Sequence, residues 1–161
     1  MVFVEMAKAL QEGDRAPDFD LETDSGRVRL ADLKGKAVVL YFYPKDDTTG
    51  CTAEAIAFSQ AAGEFEQAGA VVVGVSKDTA KSHSRFRGKY DLKVELGADP
   101  QGEVVERYGV WVEKSMYGRR YMGIERATFL IGPDGVIRRV WRKVKVAGHA
   151  AEVLAAVKSL S

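Results

Sequence analysis

Two unbroken apolar runs, Ala37-Val38-Val39-Leu40-Tyr41-Phe42-Tyr43 and Ala70-Val71-Val72-Val73-Gly74-Val75, constrain this chain more than any other feature. Each is short, rich in β-branched and aromatic residues and free of polar alternation, the pattern of a strand covered on both faces by helices. The stretch between them, Thr52 to Gln67, reads as a helix. A strand, a crossover helix and a second strand imply parallel pairing within an α/β sheet.

Around that unit the remaining elements fall into order. Asp18 to Thr23 and Arg27 to Leu30 flank Asp24-Ser25-Gly26 as an N-terminal hairpin at the edge of the domain. A helix is predicted over Thr79 to Tyr90, with Asp78 or Thr79 as its N-cap, and a short one near Gly102 to Tyr108. Ala127 to Ile131 and Val136 to Trp141 flank Gly132-Pro133-Asp134-Gly135, a turn signal for an antiparallel hairpin. Val153, Leu154, Val157 and Leu160 place one apolar stripe on a terminal helix, Ala150 to Leu160. The order is that of a thioredoxin-like fold: α/β, with a central mixed β-sheet flanked by helices and an N-terminal β-hairpin extension. At 161 residues and 46% hydrophobic content, one core accounts for the whole chain, a single domain over 1–161.

Charge and hydropathy narrow the partners. Lys plus Arg number 24 against 23 Asp plus Glu, so no net field draws the chain to nucleic acid or to an anionic membrane. The basic run Arg138 to Lys145 alternates in part with apolar residues, as a half-exposed strand does. Met1 to Leu10 has Glu5 inside its short apolar stretch, which makes it a poor secretory signal, and no run approaches the length of a membrane span. The expectation is a soluble, cytoplasmic protein.

The chemistry centres on Cys51, the only cysteine, where the first apolar run gives way to the helix. A sulfur in the first helical turn meets unpaired N–H groups and the positive end of the helix dipole, which favour its thiolate. One cysteine cannot close an internal disulfide, so a redox cycle must recruit an outside thiol. Thr48 lies three residues earlier, close enough for its hydroxyl to donate to the sulfur or to an oxygen bound beside it, and Pro44 stiffens the loop between and shields the thiolate. Asp46 and Asp47 read as solvated loop carboxylates, and with no spaced His or Cys partner they give no metal site. His83 and His149, far from the motif in sequence, read as helix-surface or capping histidines. The aromatic and methionine-rich stretch Trp111, Met116, Tyr117, Tyr121, Met122 fits a pocket mouth, a subunit contact or core packing.

Pro44-x-x-x-Thr48-x-x-Cys51 resembles the active-site motif of the peroxiredoxins. Residues 41 to 54 as a whole are similar to the bacterioferritin comigratory protein (PrxQ) branch. So are Gly109-Val110-Trp111, Glu113 to Gly118, Tyr121 to Ile131, Lys143 to Val146 and Gly148-His149. The resemblance implies that Cys51 is the peroxidatic cysteine and that Pro44, Thr48 and Arg126 complete the site. It implies a thiol peroxidase that reduces hydrogen peroxide and small organic hydroperoxides without metal, haem or flavin cofactor. The thiolate attacks one peroxide oxygen, and charge that develops on the departing oxygen needs fixed donors. A guanidinium at Arg126 supplies them and favours the thiolate. Glu54, three residues after Cys51 on the same side of the helix, is placed to accept from Arg126 and hold it, and Tyr43 to add its hydroxyl to the pocket.

The chain departs from the family pattern where a second cysteine is often found. Ile56 stands five residues after Cys51, and the helix 79 to 90 offers Ser82, His83 and Ser84 but no cysteine. A one-cysteine mechanism follows: Cys51 sulfenic acid, recycled by thioredoxin, glutaredoxin or a low-molecular-weight thiol, and open to overoxidation. Thr49 replaces a proline common in the family. The branch implies a monomer, with a weak dimer as the alternative. The rival function is a redox-regulated chaperone or binding module on the same scaffold, in which the thiol senses rather than catalyses.

Overall fold

The structure, a computed structural model, describes residues 9–160; residues 1–8, the greater part of the stretch read as a poor secretory signal, lie outside the described residues. The strands are β1 Asp20–Thr23, β2 Gly26–Arg29, β3 Ala37–Phe42, β4 Ala70–Ser76, β5 Glu95–Ala98, β6 Trp111–Met116, β7 Arg119–Ile124, β8 Ala127–Ile131 and β9 Ile137–Trp141. The helices are α1 Thr49–Gln60, α2 Ala62–Gln67, α3 Ala80–Tyr90, α4 Glu103–Arg107 and α5 His149–Lys158. Seven strands join one mixed sheet in the order β2-β1-β5-β4-β3-β8-β9, while β6 and β7 pair only with each other. The chain thus has the expected thioredoxin-like α/β architecture, with β3, β4 and β5 parallel and the hairpins antiparallel.

The two founding strands explain why helices cover both faces. Alternation along β3 sends Val39 and Tyr41, followed by Tyr43, into a core built with Cys51, Phe58, Phe65, Phe86 and α5. Val38, Leu40 and Phe42 point the other way, into a core with Val104, Val105, Tyr108 and Phe129. Gly74 stands opposite Tyr41 in the β3–β4 register, and a Cβ there would lie 2.5 Å from the tyrosine ring. Glycine at that position is what lets the ring lie flat across β4.

Four features depart from the sequence expectations. The helix after β3 starts at Thr49 and is interrupted at Ala61, so Cys51 lies inside it; Phe58 and Phe65, seven residues apart, still meet at 5.9 Å across the break. β5 was not expected, because Lys93 and Glu95 disguise a strand whose pairing with β4 and β1 ties the N-terminal hairpin to the sheet. Nor was the β6–β7 hairpin, which turns on Tyr117 (φ 52°) and Gly118 (φ 77°), a two-residue turn that needs positive φ at both positions and rarely uses tyrosine. Leu160 lies past the end of α5 and is exposed, while Val153, Leu154 and Val157 are buried.

Candidate active site

The end of β3 delivers the site. Tyr43 extends the pairing to β4 by one bond, its N–H donating to Val75 O at 3.1 Å, and the half-buried Pro44 follows it. The chain turns through Asp47 in the left-handed region (φ 59°), and Thr48 in extended conformation caps α1. The helix closes its first bond from Thr52 N–H to Thr48 O at 2.8 Å. Cys51 therefore sits in the first turn, where N–H groups lack intrahelical acceptors, and is only 1% exposed. Thr48 is exposed, and its hydroxyl, expected to donate to the sulfur or to an oxygen beside it, donates instead to Lys45 O at 2.8 Å, which commits its proton to the loop and leaves its oxygen as an acceptor.

Arg126, in the corner between β7 and β8, brings the second half. Its Nη2 donates to Cys51 Sγ at 3.4 Å and its Nη1 to Glu54 Oε1 at 2.7 Å. A Cβ on Gly50 would lie 3.1 Å from Nη2, so the glycine before Cys51 opens the approach for the guanidinium. The corner is fixed from outside: Val144 N–H donates to Arg126 O at 2.9 Å, and Arg142 Nε to Glu125 Oε2 at 2.6 Å. Burial disfavours the guanidinium charge, but Glu54 and then Cys51 outweigh it and hold Arg126 charged beyond its ordinary range. Burial pushes the Glu54 carboxyl up to about 7, against the pull of Arg126. Glu54 Oε2 and the Tyr41 hydroxyl are buried without hydrogen-bond partners among the described residues, so a proton on Glu54 near neutrality is most easily carried at Oε2.

Beneath the loop lies a polar network that sequence reasoning missed. Asp46, expected in solvent, is buried; it accepts from Tyr43 Oη at 2.6 Å and Ser82 Oγ at 2.8 Å, and lies 2.7 Å from His83 Nδ1. His83, expected on a helix surface, is fully buried, with Nε2 3.1 Å from Gly97 O. Burial raises the Asp46 carboxyl, and the bonds from His83, Tyr43 and Ser82 overcome it and hold the group below its ordinary value. The Tyr43 hydroxyl hydrogen is thereby committed to Asp46. His149 is buried too, 2.8 Å from Thr128 Oγ1 and edge-on to Phe58 and Trp141. Among the described residues no group of three or more His, Cys, Asp or Glu is placed to hold a metal, and no helix is long and apolar enough to cross a membrane.

Residues 12–140 match the AhpC/TSA family. The chain is a peroxiredoxin of that family. Its relatives include the putative peroxiredoxin bcp of Coxiella burnetii, 52% identical over 91% of this chain and 97% of that protein. Peroxiredoxin Bcp of Bacillus subtilis is 45% identical over 94% and 98% of the two chains. Among solved structures, the bacterioferritin comigratory protein of Xanthomonas campestris, described by its alkyl peroxide reduction activity, superposes with a TM-score of 0.86 at 42% identity, covering 95% of this chain and 99% of that one.

As a peroxiredoxin of the bacterioferritin comigratory protein branch, the chain is a thiol-dependent peroxidase. Xanthomonas campestris Peroxiredoxin Q has been solved with serine replacing either of two different cysteines, whereas this peroxiredoxin has one. The structure brings Cys51, Arg126 and Glu54 into direct contact; it places Pro44 and Thr48 on the loop above them and turns Tyr43 into the buried network. The one sequence signal that could have found the network is the cluster of polar residues Ser82-His83-Ser84 on a helix otherwise needing an apolar face.

Proposed function

We propose that this peroxiredoxin works by a one-cysteine mechanism on hydrogen peroxide and small organic hydroperoxides. The observation that carries the reading is the Arg126 guanidinium bridging the sole cysteine and a buried carboxylate. Cys51 thiolate attacks the nearer peroxide oxygen, the O–O bond breaks, and the departing hydroxide or alkoxide takes a proton to leave as water or alcohol. Arg126 stabilises the thiolate and the charge spreading over both oxygens, and Glu54 orients Arg126. Thr48, its hydroxyl hydrogen engaged by the backbone carbonyl of Lys45, accepts from the hydroperoxide O–H. Pro44 shapes the loop that shields the sulfur, and Tyr43 supports it from below.

The product is Cys51 sulfenic acid, and an external thiol attacks it to give a mixed disulfide and water; a second thiol then releases the enzyme. A monothiol of low molecular weight, a glutaredoxin or a thioredoxin supplies this step. The unit is a single domain, because its two cores share one sheet. We carry over from the branch it resembles the reading that it acts as a monomer. The test is intact mass under excess peroxide without added thiol. The proposal predicts one added oxygen, then two as sulfinic acid forms; a stable product with no added oxygen contradicts it.

A further inference from the structure

We propose that His83 and Asp46 are positioning residues of the peroxidase site, and that α3 grips the Cys51 loop through two adjacent aspartates. The inference rests on the reading of Cys51 as the nucleophile.

The loop 44–48 has no strand ladder to hold it, yet it must keep Thr48, and the helix turn after it, in register with Arg126. α3 provides the grip at two heights. Ser82 and His83 bind Asp46, while Lys89 Nζ and Tyr90 Oη donate to Asp47 Oδ2 and Oδ1 at 2.8 and 2.6 Å. The pairs 82/83 and 89/90 are seven residues apart, close to two helical turns, so all four side chains lie along one face of α3. From the other side, Asp46 N–H donates to Asp78 Oδ2 at 2.9 Å, and Asp78 also accepts from Ser76 Oγ at 2.6 Å. Tyr43, immediately before Pro44, closes the frame by donating to Asp46 and by packing its ring, tilted by 42°, 6.4 Å from that of Phe86 of α3.

The inner grip is an ion pair by hydrogen-bond bookkeeping. A carbonyl only accepts, so the His83 nitrogen facing Gly97 O carries a hydrogen. The Asp46 carboxylate also only accepts, and already takes the Tyr43 and Ser82 hydroxyls, so Nδ1 carries a hydrogen as well. His83 is thus an imidazolium against a carboxylate, with side chains 0% and 4% exposed. Such a contact has one good geometry and little solvent to replace it, which suits a device that fixes a loop. The outer grip on Asp47 is exposed and holds the residue whose backbone takes positive φ.

The test uses the full chain and rapid mixing with hydrogen peroxide. His83→Leu and Asp46→Asn are each expected to slow the Cys51 reaction by about tenfold to 10²-fold, the scale of a small misplacement in a site. The double variant is expected to be no slower than the worse single one, because both break the same contact. His83→Gln, which keeps an N–H donor for Asp46 but neither the charge nor the second donor toward Gly97 O, is expected to recover part of the rate and of the ultraviolet thiolate absorbance at neutral pH that His83→Leu loses. A merely structural role would lower the melting temperature of all three and leave rate and thiolate absorbance alone. Single variants within about twofold of the unmodified protein, or effects that multiply in the double variant, would overturn the proposal. Nitrogen-15 NMR of the unmodified protein guards against variants that fail to fold: protons on both His83 ring nitrogens at neutral pH are expected, and a singly protonated ring would overturn it. If the unmodified protein itself reacts no faster than a free thiol, the peroxidase reading fails, while the NMR result still reports on the ion pair.

Discussion

The loop beneath Cys51 and the β6–β7 hairpin invert the usual relation between polarity and burial. Asp46 and His83 are polar groups shut away from solvent, whereas Tyr117 is 98% exposed and Met116 56%. The loop can bury them because the side-chain groups of Asp46 and His83 are met by each other, by Tyr43 at the end of β3, by Ser82 on α3 and by Gly97 O on β5. The hairpin exposes apolar side chains because it pairs with no other strand of the sheet, and only its base, at Trp111 and Ile124, packs on the core. Burial in this protein follows the partners that tertiary structure supplies, and the residue's own hydropathy is a weaker guide.

The contrast is sharpened first by stability. Asp46→Ala leaves His83 buried without its counter-charge and should cost about 3–5 kcal/mol, read from denaturant midpoints. A loss under about 1 kcal/mol would place Asp46 among ordinary surface pairs. Arg126→Ala should slow peroxide reduction by about 10²-fold, equivalent to about 2.7 kcal/mol, as for a lost oxyanion donor. An unchanged rate would mean that another cation serves the sulfur; Lys114, half-buried across Gly123 on the hairpin, is the neighbour to examine.

Glu54 gives a smaller effect with a defined direction in pH. Burial raises its folded value from 4.5 to about 7, so the ionised form is disfavoured by folding. Its contribution is fully present below about pH 4.5 and is lost as pH rises through about 7. The stability of the unmodified protein relative to Glu54→Gln should therefore fall across that window, by at least about 1 kcal/mol, since a tenfold change in proton affinity is worth about 1.4 kcal/mol. A flat difference would contradict it. Smallest of all, Tyr117→Ser at the hairpin tip should move stability by no more than about 0.5 kcal/mol, because the ring covers almost nothing. A larger loss would show that the tip is covered in solution.

The same contrast marks what the sequence made legible. Ala37 to Tyr43 and Ala70 to Val75 announced the central strands because both faces are covered, and the Pro44, Thr48, Cys51 spacing announced the site because its parts are local in the chain. Arg126 was legible through its motif, and the 3.4 Å contact with Cys51 shows what a separation of 75 residues conceals. Asp46 and His83 were misread because the pairing spans 37 residues and neither position shows, on its own, that the other will arrive. The β6–β7 hairpin was missed because its turn puts tyrosine where asparagine would be the usual signal. The sequence puts Thr48 on the loop and Tyr43 at the end of the strand, one residue past β3, but the direction of a hydroxyl proton depends on acceptors that only the fold brings near.

The central claim, that Cys51 reduces peroxide without a second cysteine, is tested most directly by rapid mixing of the reduced protein with one equivalent of hydrogen peroxide. Tryptophan fluorescence would be followed first and intact mass after it, with Cys51→Ser alongside. A fast change ending in one added oxygen, or in a thiol adduct when thiol is present, and absent from the serine variant, is the predicted result. Reaction no faster than that of an ordinary free thiol would contradict it.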